Sequence, residues 1–142
     1  MAEGSIKFTV YGEPVAQGRP KAAVVQGRAM VYDPKKSRDF KRDVKLVAQG
    51  YVPEELLTGP LEITIKAYRP IPKSMSKKKR EQALAGELLP MTKPDLKNYV
   101  SGIEDALENV LYANDSQIVR YGPGTGKYYG DPPRIEIEVT PA

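Results

Sequence analysis

Histidine and cysteine are both absent from this chain. Without cysteine there are no disulfides and no thiolate metal sites. Without histidine the commonest general base and the usual zinc ligand are missing. Any metal must then be held by oxygen, which favours Mg²⁺ or Mn²⁺. No apolar run approaches membrane-spanning length, and Met1-Ala2-Glu3-Gly4-Ser5 lacks the character of a signal peptide. The expectation is a cytoplasmic protein with no membrane partner. Acids are in deficit as well: 18 Asp and Glu stand against 22 Lys and Arg, a net charge of +4. A modest positive charge fits a polyanionic partner, although many ordinary proteins are this basic. The 142 residues predict one domain, 1–142, with room for a core that needs no staples.

Hydrophobic patterning predicts an α+β fold. A mostly antiparallel or mixed sheet of about five strands is expected with two or three helices. Ile6 to Val10 alternates as a half-buried strand and Gly12-Glu13-Pro14 ends it. Ala22–Val25 and Arg28–Tyr32 read as a hairpin turning at Gln26-Gly27. Arg19, Lys21 and Arg28 at its tip and flanks are candidate phosphate contacts. A helix is expected from Pro34 to Tyr51, capped by Asp33, with Phe40, Val44 and Val47 as its buried stripe. Lys35, Arg38, Arg42 and Lys45 form its other side, which faces either solvent or nucleic acid. Leu61 to Arg69 alternates most cleanly, with Leu61, Ile63, Ile65 and Ala67 on one face. Ser74–Leu84 reads as helical, with Lys77-Lys78-Lys79-Arg80 near its start. Four cations in one turn oppose the helix dipole, so the segment is either mobile or supplied with an anion such as phosphate. Strand-like pieces at Gln117–Tyr121 and Lys127–Tyr129 flank a glycine loop, and Arg134–Val139 closes the sheet.

That loop, Gly122-Pro123-Gly124-Thr125-Gly126-Lys127, imitates a nucleotide-binding P-loop. The motif needs glycine where Tyr121 stands, and Ser or Thr where Tyr128 stands. It also needs a helix to follow, and a tyrosine-rich strand follows instead. No nucleotide cofactor is expected.

Residues 93–117 are the best candidate for chemistry. A turn at Lys93-Pro94-Asp95 leads into an amphipathic helix, and a second acidic turn, Asn114-Asp115-Ser116-Gln117, opens onto a strand. Leu96, Tyr99, Val100, Ile103, Leu107 and Val110 make the apolar stripe. At 100° per residue, Asn98, Ser101 and Asp105 fall within about 60° of one another, with Lys97 at the edge of their face. Asp95 and Asp115 read in two ways, as a helix cap and a turn residue or as ligands of a hard divalent cation. Such a cation activates water and stabilises the charged oxygens of a phosphodiester displacement, with a lysine neutralising developing charge.

Lys93-Pro94-Asp95-Leu96-x-Asn98, then Asp105-Ala106-Leu107, then Tyr112-x-Asn114-Asp115-Ser116-Gln117-Ile118 closely resembles the RusA family of Holliday junction resolvases. The likeness extends to Gly12-x-Pro14, Gly18-Arg19-Pro20, Tyr32-x-Pro34 and Arg69-Pro70-x-Pro72-Lys73-Ser74, and so covers nearly the whole chain. It implies Mg²⁺- or Mn²⁺-dependent nicking of four-way DNA junctions by a symmetric homodimer, of a kind often encoded by prophages. Two paired sites suit symmetric resolution, since one site cuts one strand. By this resemblance Asp95, Asp115 and Asp105 are candidate catalytic and metal-binding residues, with Lys97 a further catalytic candidate. Arg19, Lys21, Lys73, Lys77, Lys78 and Lys93 are candidate DNA contacts.

Two positions depart from the family pattern. Lys97 stands where a second acid is expected, a change of two charge units, and Ser101 stands where a lysine is expected. As i and i+4 neighbours, Lys97 can extend along the helix toward the place of the lost lysine. The expected function is a structure-selective endonuclease impaired at these positions. The alternative is an inactive branched-DNA-binding protein of the same fold.

Overall fold

Strict alternation from Leu61 to Arg69 becomes the centre of a mixed five-stranded sheet. The computed structural model describes residues 4–16, 21–25, 28–32 and 35–142, with backbone alone for 21–25 and 28–32. In chain order the elements are β1 (Ile6–Tyr11), β2 (Lys21–Val25), β3 (Arg28–Tyr32), α1 (Lys35–Gln49) and β4 (Leu61–Arg69). Then come α2 (Lys77–Leu84), α3 (Leu96–Leu107), a 3₁₀ turn (Asp115–Gln117), β5 (Ile118–Tyr121), β6 (Gly126–Tyr129) and β7 (Arg134–Pro141).

β7 lies between β1 and β4 and is antiparallel to both. On its other side β4 is joined by β5 and then, further along its length, by β6, both parallel to it. The local alternation of β5 and β6 carried no sign of that direction, which the return path through α3 sets. β2 and β3 pair antiparallel as a separate ribbon, Ala22 opposite Val31 and Val25 opposite Arg28, as the hairpin reading required. Its turn at Gln26-Gly27 lies outside the described residues, as do Arg19 and the expected cap Asp33-Pro34.

One face of the sheet is apolar. Phe8, Val10, Leu61, Ile63, Ile65, Ala67, Ile135, Ile137 and Val139 are buried there, in one core with Phe40, Val44 and Ala48 of α1 and Tyr99, Ile103, Ala106 and Leu107 of α3. Each fully buried Leu or Ile contributes about 1.5–3 kcal/mol by leaving water, so β4 is the strand least tolerant of change. Lys35, Arg38, Arg42 and Lys45 are exposed on the outer side of α1. No helix among the described residues is long and apolar enough to cross a membrane.

The glycine loop between β5 and β6 lies directly on β4. Gly122 N–H donates to the Ile63 carbonyl (2.8 Å), and Ile65 N–H donates to Thr125 Oγ1 (3.2 Å). A Cβ on Gly122 would sit 1.8 Å from Thr64 Oγ1, so only glycine permits this approach. The loop leads into strand β6 rather than a helix, as its departure from the P-loop pattern predicted.

Candidate active site

The two acidic turns lie at opposite ends of α3, a helix of 12 residues and so about 18 Å long. Asp95 occupies its N-cap with extended backbone (φ −70°, ψ 148°), yet its carboxylate makes no capping hydrogen bond. The backbone does that work instead, since the Asp95 carbonyl accepts from Asn98 N–H (3.1 Å) and Tyr99 N–H (3.4 Å). The expectation that the Asp95 side chain doubles as the cap is therefore corrected, and its exposed carboxylate has no hydrogen-bond or ion-pair partner among the described residues.

Asp95 borders a cleft of about 620 Å³ together with Glu13, Lys36, Arg69, Lys93, Asn98 and Tyr99. The segment after β1 forms one wall, tied to α1 where Ser37 Oγ donates to the Ala16 carbonyl (3.2 Å). Lys93 and Pro94, joined by a cis peptide, line the cleft as well. Three cations and two carboxylates thus share one concavity. Burial pushes the Tyr99 phenol above its ordinary range, with the Arg69 guanidinium opposing and the Glu13 carboxylate adding to the shift. Tyr99 is accordingly a neutral phenol at physiological pH.

The other end of α3 is more acidic. Asn114 and Gln117 form a reciprocal capping box around the Asp115 turn. Asn114 Oδ1 accepts from Ser116 N–H (2.8 Å), and Gln117 Oε1 accepts from Ala113 and Asn114 N–H (3.0 and 3.1 Å). Gln117 Nε2 donates to the carbonyls of Leu57 and Gly59, fixing the turn to the connector before β4. Asp115 is exposed, and its N–H donates to Glu108 Oε1 (3.2 Å). Glu104 Oε1 accepts from the Tyr121 hydroxyl (3.0 Å). Burial raises the Glu104 carboxyl above its usual range; the Tyr121 hydrogen bond opposes this and the Asp115 charge adds to it. The Tyr121 phenol is pushed up to about 12, by burial first and then by Glu104 and Asp115. Tyr112 is wholly buried and donates to the Glu104 carbonyl (2.7 Å).

Asp105 also stands near the C-terminal end of α3: burial raises the Tyr112 phenol, and the charges of Glu104, Asp115, Glu108 and Asp105 add to that shift. The Asp105 carboxylate accepts from Lys41 Nζ at 2.7 Å, a nearly buried lysine on α1. One residue of helix turns Asp105 about 100° from Glu104, which lets it reach Lys41 on α1. Lys97 and Ser101 are exposed between the two ends. By helical angle they share a line with Glu104 and Glu108.

The structure therefore groups Asp95 with the cleft cations, and Asp115 with Glu104, Glu108 and the Lys41-paired Asp105 around Tyr112. Among the described residues, no group of three or more Asp, Glu, His or Cys is placed to hold a metal ion. Asp95 and Asp115, the two acids offered first as ligands of Mg²⁺ or Mn²⁺, stand at opposite ends of α3 rather than together. Of the candidate DNA contacts, Lys93 borders the cleft, and Lys73, Lys77 and Lys78 are exposed at and before the start of α2. Ser76 caps that helix by accepting from Lys79 N–H (3.3 Å). Arg19 lies outside the described residues, and Lys21 is described by its backbone in β2. Sequence reasoning passed over Glu104 and Glu108, although their spacing from Lys97 and Ser101 repeats a helical face. Tyr121, Lys41 and Arg69 carry no local signal of their roles.

The chain is thus an α+β domain with a charged cleft at the N-terminus of α3 and an acidic turn beyond its C-terminus. A model of the RusA endodeoxyribonuclease family matches residues 11–140, and the chain belongs to that family. It is also 50% identical over 136 residues, 94% of each chain, to the uncharacterized protein YqaN of Bacillus subtilis strain 168.

Proposed function

We propose that this protein is a structure-selective endonuclease that binds four-way DNA junctions as a homodimer and resolves them by phosphodiester hydrolysis. One observation carries the reading: the RusA family match, over residues 11–140, runs through every segment of the candidate site, from Glu13 to Tyr121. The cleft chemistry agrees with it. Lys36, Arg69 and Lys93 supply positive potential for a phosphodiester. The Asp95 carboxylate, released from capping, is available to accept a proton from an attacking water. Lys73, Lys77 and Lys78 extend the basic surface for the junction arms. Asp115 and Lys97 are proposed as further members of the site. Resolvases of this family generally depend on a divalent metal. No step is routed through a metal, since Asp95 and Asp115 lie at opposite ends of α3 and no group of three or more acids meets among the described residues.

A second reading, junction binding without cleavage, is favoured by Lys97, which puts an ammonium where the family pattern has an acid. One experiment separates the two. End-labelled four-way junction and matched duplex are incubated with the protein with and without Mg²⁺ or Mn²⁺ over a salt series. Paired symmetric nicks support the enzyme. Salt-sensitive junction binding without nicks, at any metal concentration, supports the binding protein. Equal affinity for junction and duplex would overturn both.

A further inference from the structure

The glycine loop and its lysine, which imitate a P-loop and bind no nucleotide in the reading above, have a different use. β6 continues from that loop with Lys127 opposite Ala67 and Tyr129 opposite Arg69 on β4. Lys127 Nζ donates to the carbonyls of Thr92 (2.9 Å) and Pro94 (3.1 Å). Arg69 Nη1 donates to the same Thr92 carbonyl (3.3 Å) and to Thr92 Oγ1 (2.7 Å). Two cations from neighbouring strands thus converge on the three residues that precede Asp95. Neither has a carboxylate within ion-pair distance among the described residues.

The strand that carries Lys127 is itself held firmly. Tyr128, pointing the other way, stacks on Tyr68 with ring centroids 5.3 Å apart, and its hydroxyl donates to the Gly124 carbonyl (2.7 Å). Arg134 covers the far side of that pair, 3.9 Å from the Tyr68 ring. The loop before it is seated on β4 through Gly122 and Thr125. By contrast, Thr92 and Lys93 are exposed and belong to no helix or strand. A rigid strand end therefore reaches out to an otherwise loosely supported turn. Charge-assisted hydrogen bonds are the stronger kind, and four of them meet on this turn.

We infer that Lys127 and Arg69 are positioning residues: they clamp the Thr92–Pro94 turn to the sheet and so fix where α3 begins and where Asp95 faces the cleft. The inference rests on the reading of Asp95 as a site residue. It gives Lys127 a role different from a DNA phosphate contact.

The test compares Lys127→Met, Lys127→Arg and Thr92→Val with the unmodified full-length chain. Amide hydrogen exchange at Asn98 and Tyr99, both bonded to the Asp95 carbonyl, reads the clamp without reference to activity. Lys127→Met is expected to speed their exchange about 10-fold while β4 and β7 stay protected. Lys127→Arg is expected to restore protection, and Thr92→Val to show a smaller increase. Single-turnover junction cleavage is expected to fall about 10- to 100-fold in Lys127→Met, the scale of a small misplacement of a reacting group. Junction affinity and its salt slope should be unchanged. Unchanged exchange at Asn98 and Tyr99 overturns the clamp. So does a salt slope reduced by about one, the mark of a lost phosphate contact. Loss of protection spread over the whole sheet also overturns it, by showing general destabilisation. If the unmodified chain does not cut, the nuclease reading fails, and the exchange data still decide the clamp.

Discussion

The two ends of α3 both present a carboxylate on an exposed turn, and their surroundings could hardly differ more. At the N-terminal end Asp95 sits among Lys36, Arg69 and Lys93, a setting that draws in phosphate. At the C-terminal end Asp115 sits beside Glu104 and Glu108, a setting that repels it unless a cation intervenes. One motif pattern across residues 93–117 thus resolves into a phosphate-facing end and an acid-rich end. About 13 Å of helix separates Asp95 from Glu104 at 1.5 Å per residue. Lys97 stands between them and makes the divide sharper than an acid there would.

The largest effect that bears on this contrast is expected from the two aspartates. Asp95→Asn should lower junction cleavage on the order of 100-fold or more with junction affinity retained. Asp115→Asn should do the same if both ends serve one reaction. Parallel cleavage and binding assays would show whether only one end matters, which would break the pairing. Next in size is repair of the divide. Lys97→Asp should raise the cleavage rate about 10-fold or more, since it removes an ammonium and places an acid between the ends. Adding Ser101→Lys should raise it further. Full activity in the unmodified chain, unimproved by either change, would show that the site lies elsewhere.

A smaller effect is expected at Asp105. Because its carboxylate serves Lys41, Asp105→Asn should cost about 1–2 kcal/mol of stability in a denaturant titration. Cleavage per folded molecule should remain unchanged. The smallest effect concerns pH at the acid-rich end. Burial raises the Glu104 carboxyl above its ordinary value of 4.5, so the folded chain holds that proton more tightly than the unfolded chain. Below pH 4.5 both states are protonated and nothing is lost. As pH climbs, the unfolded chain releases the proton first, and stability falls until Glu104 itself ionises. Glu104→Gln keeps an acceptor for Tyr121. It should raise Tm by a few degrees at pH 7 and leave it unchanged at pH 4, as thermal melts would show.

Much of this fold was legible because its elements are locally marked. Leu61–Arg69 alternates without a break, and the apolar spacings of Phe40 and Val44 and of Tyr99, Ile103 and Leu107 are helical, so β4, α1 and α3 fall where the pattern puts them. What local pattern cannot carry is partnership across the chain. Lys41 lies 64 residues from Asp105, and nothing near either one announces the pair. The parallel direction of β5 and β6 likewise follows from how the chain returns, not from their own residues. The candidate site was legible as a set of residue types. It was not legible as a geometry, because a helix with acids at both ends keeps them apart unless tertiary structure folds one back. Here Asp115 folds back only as far as Glu108 and Glu104.

The caps at the two turns have a bearing on how this chain can change over time. Asp95 leaves the start of α3 to its own carbonyl, and Asp115 leaves its turn to Asn114 and Gln117. Among the described residues neither carboxylate makes a hydrogen bond or ion pair, so exchanging either one should leave the fold as it is. Chemistry and shape are then inherited separately. The stability of such a protein is then no guide to whether it cuts DNA.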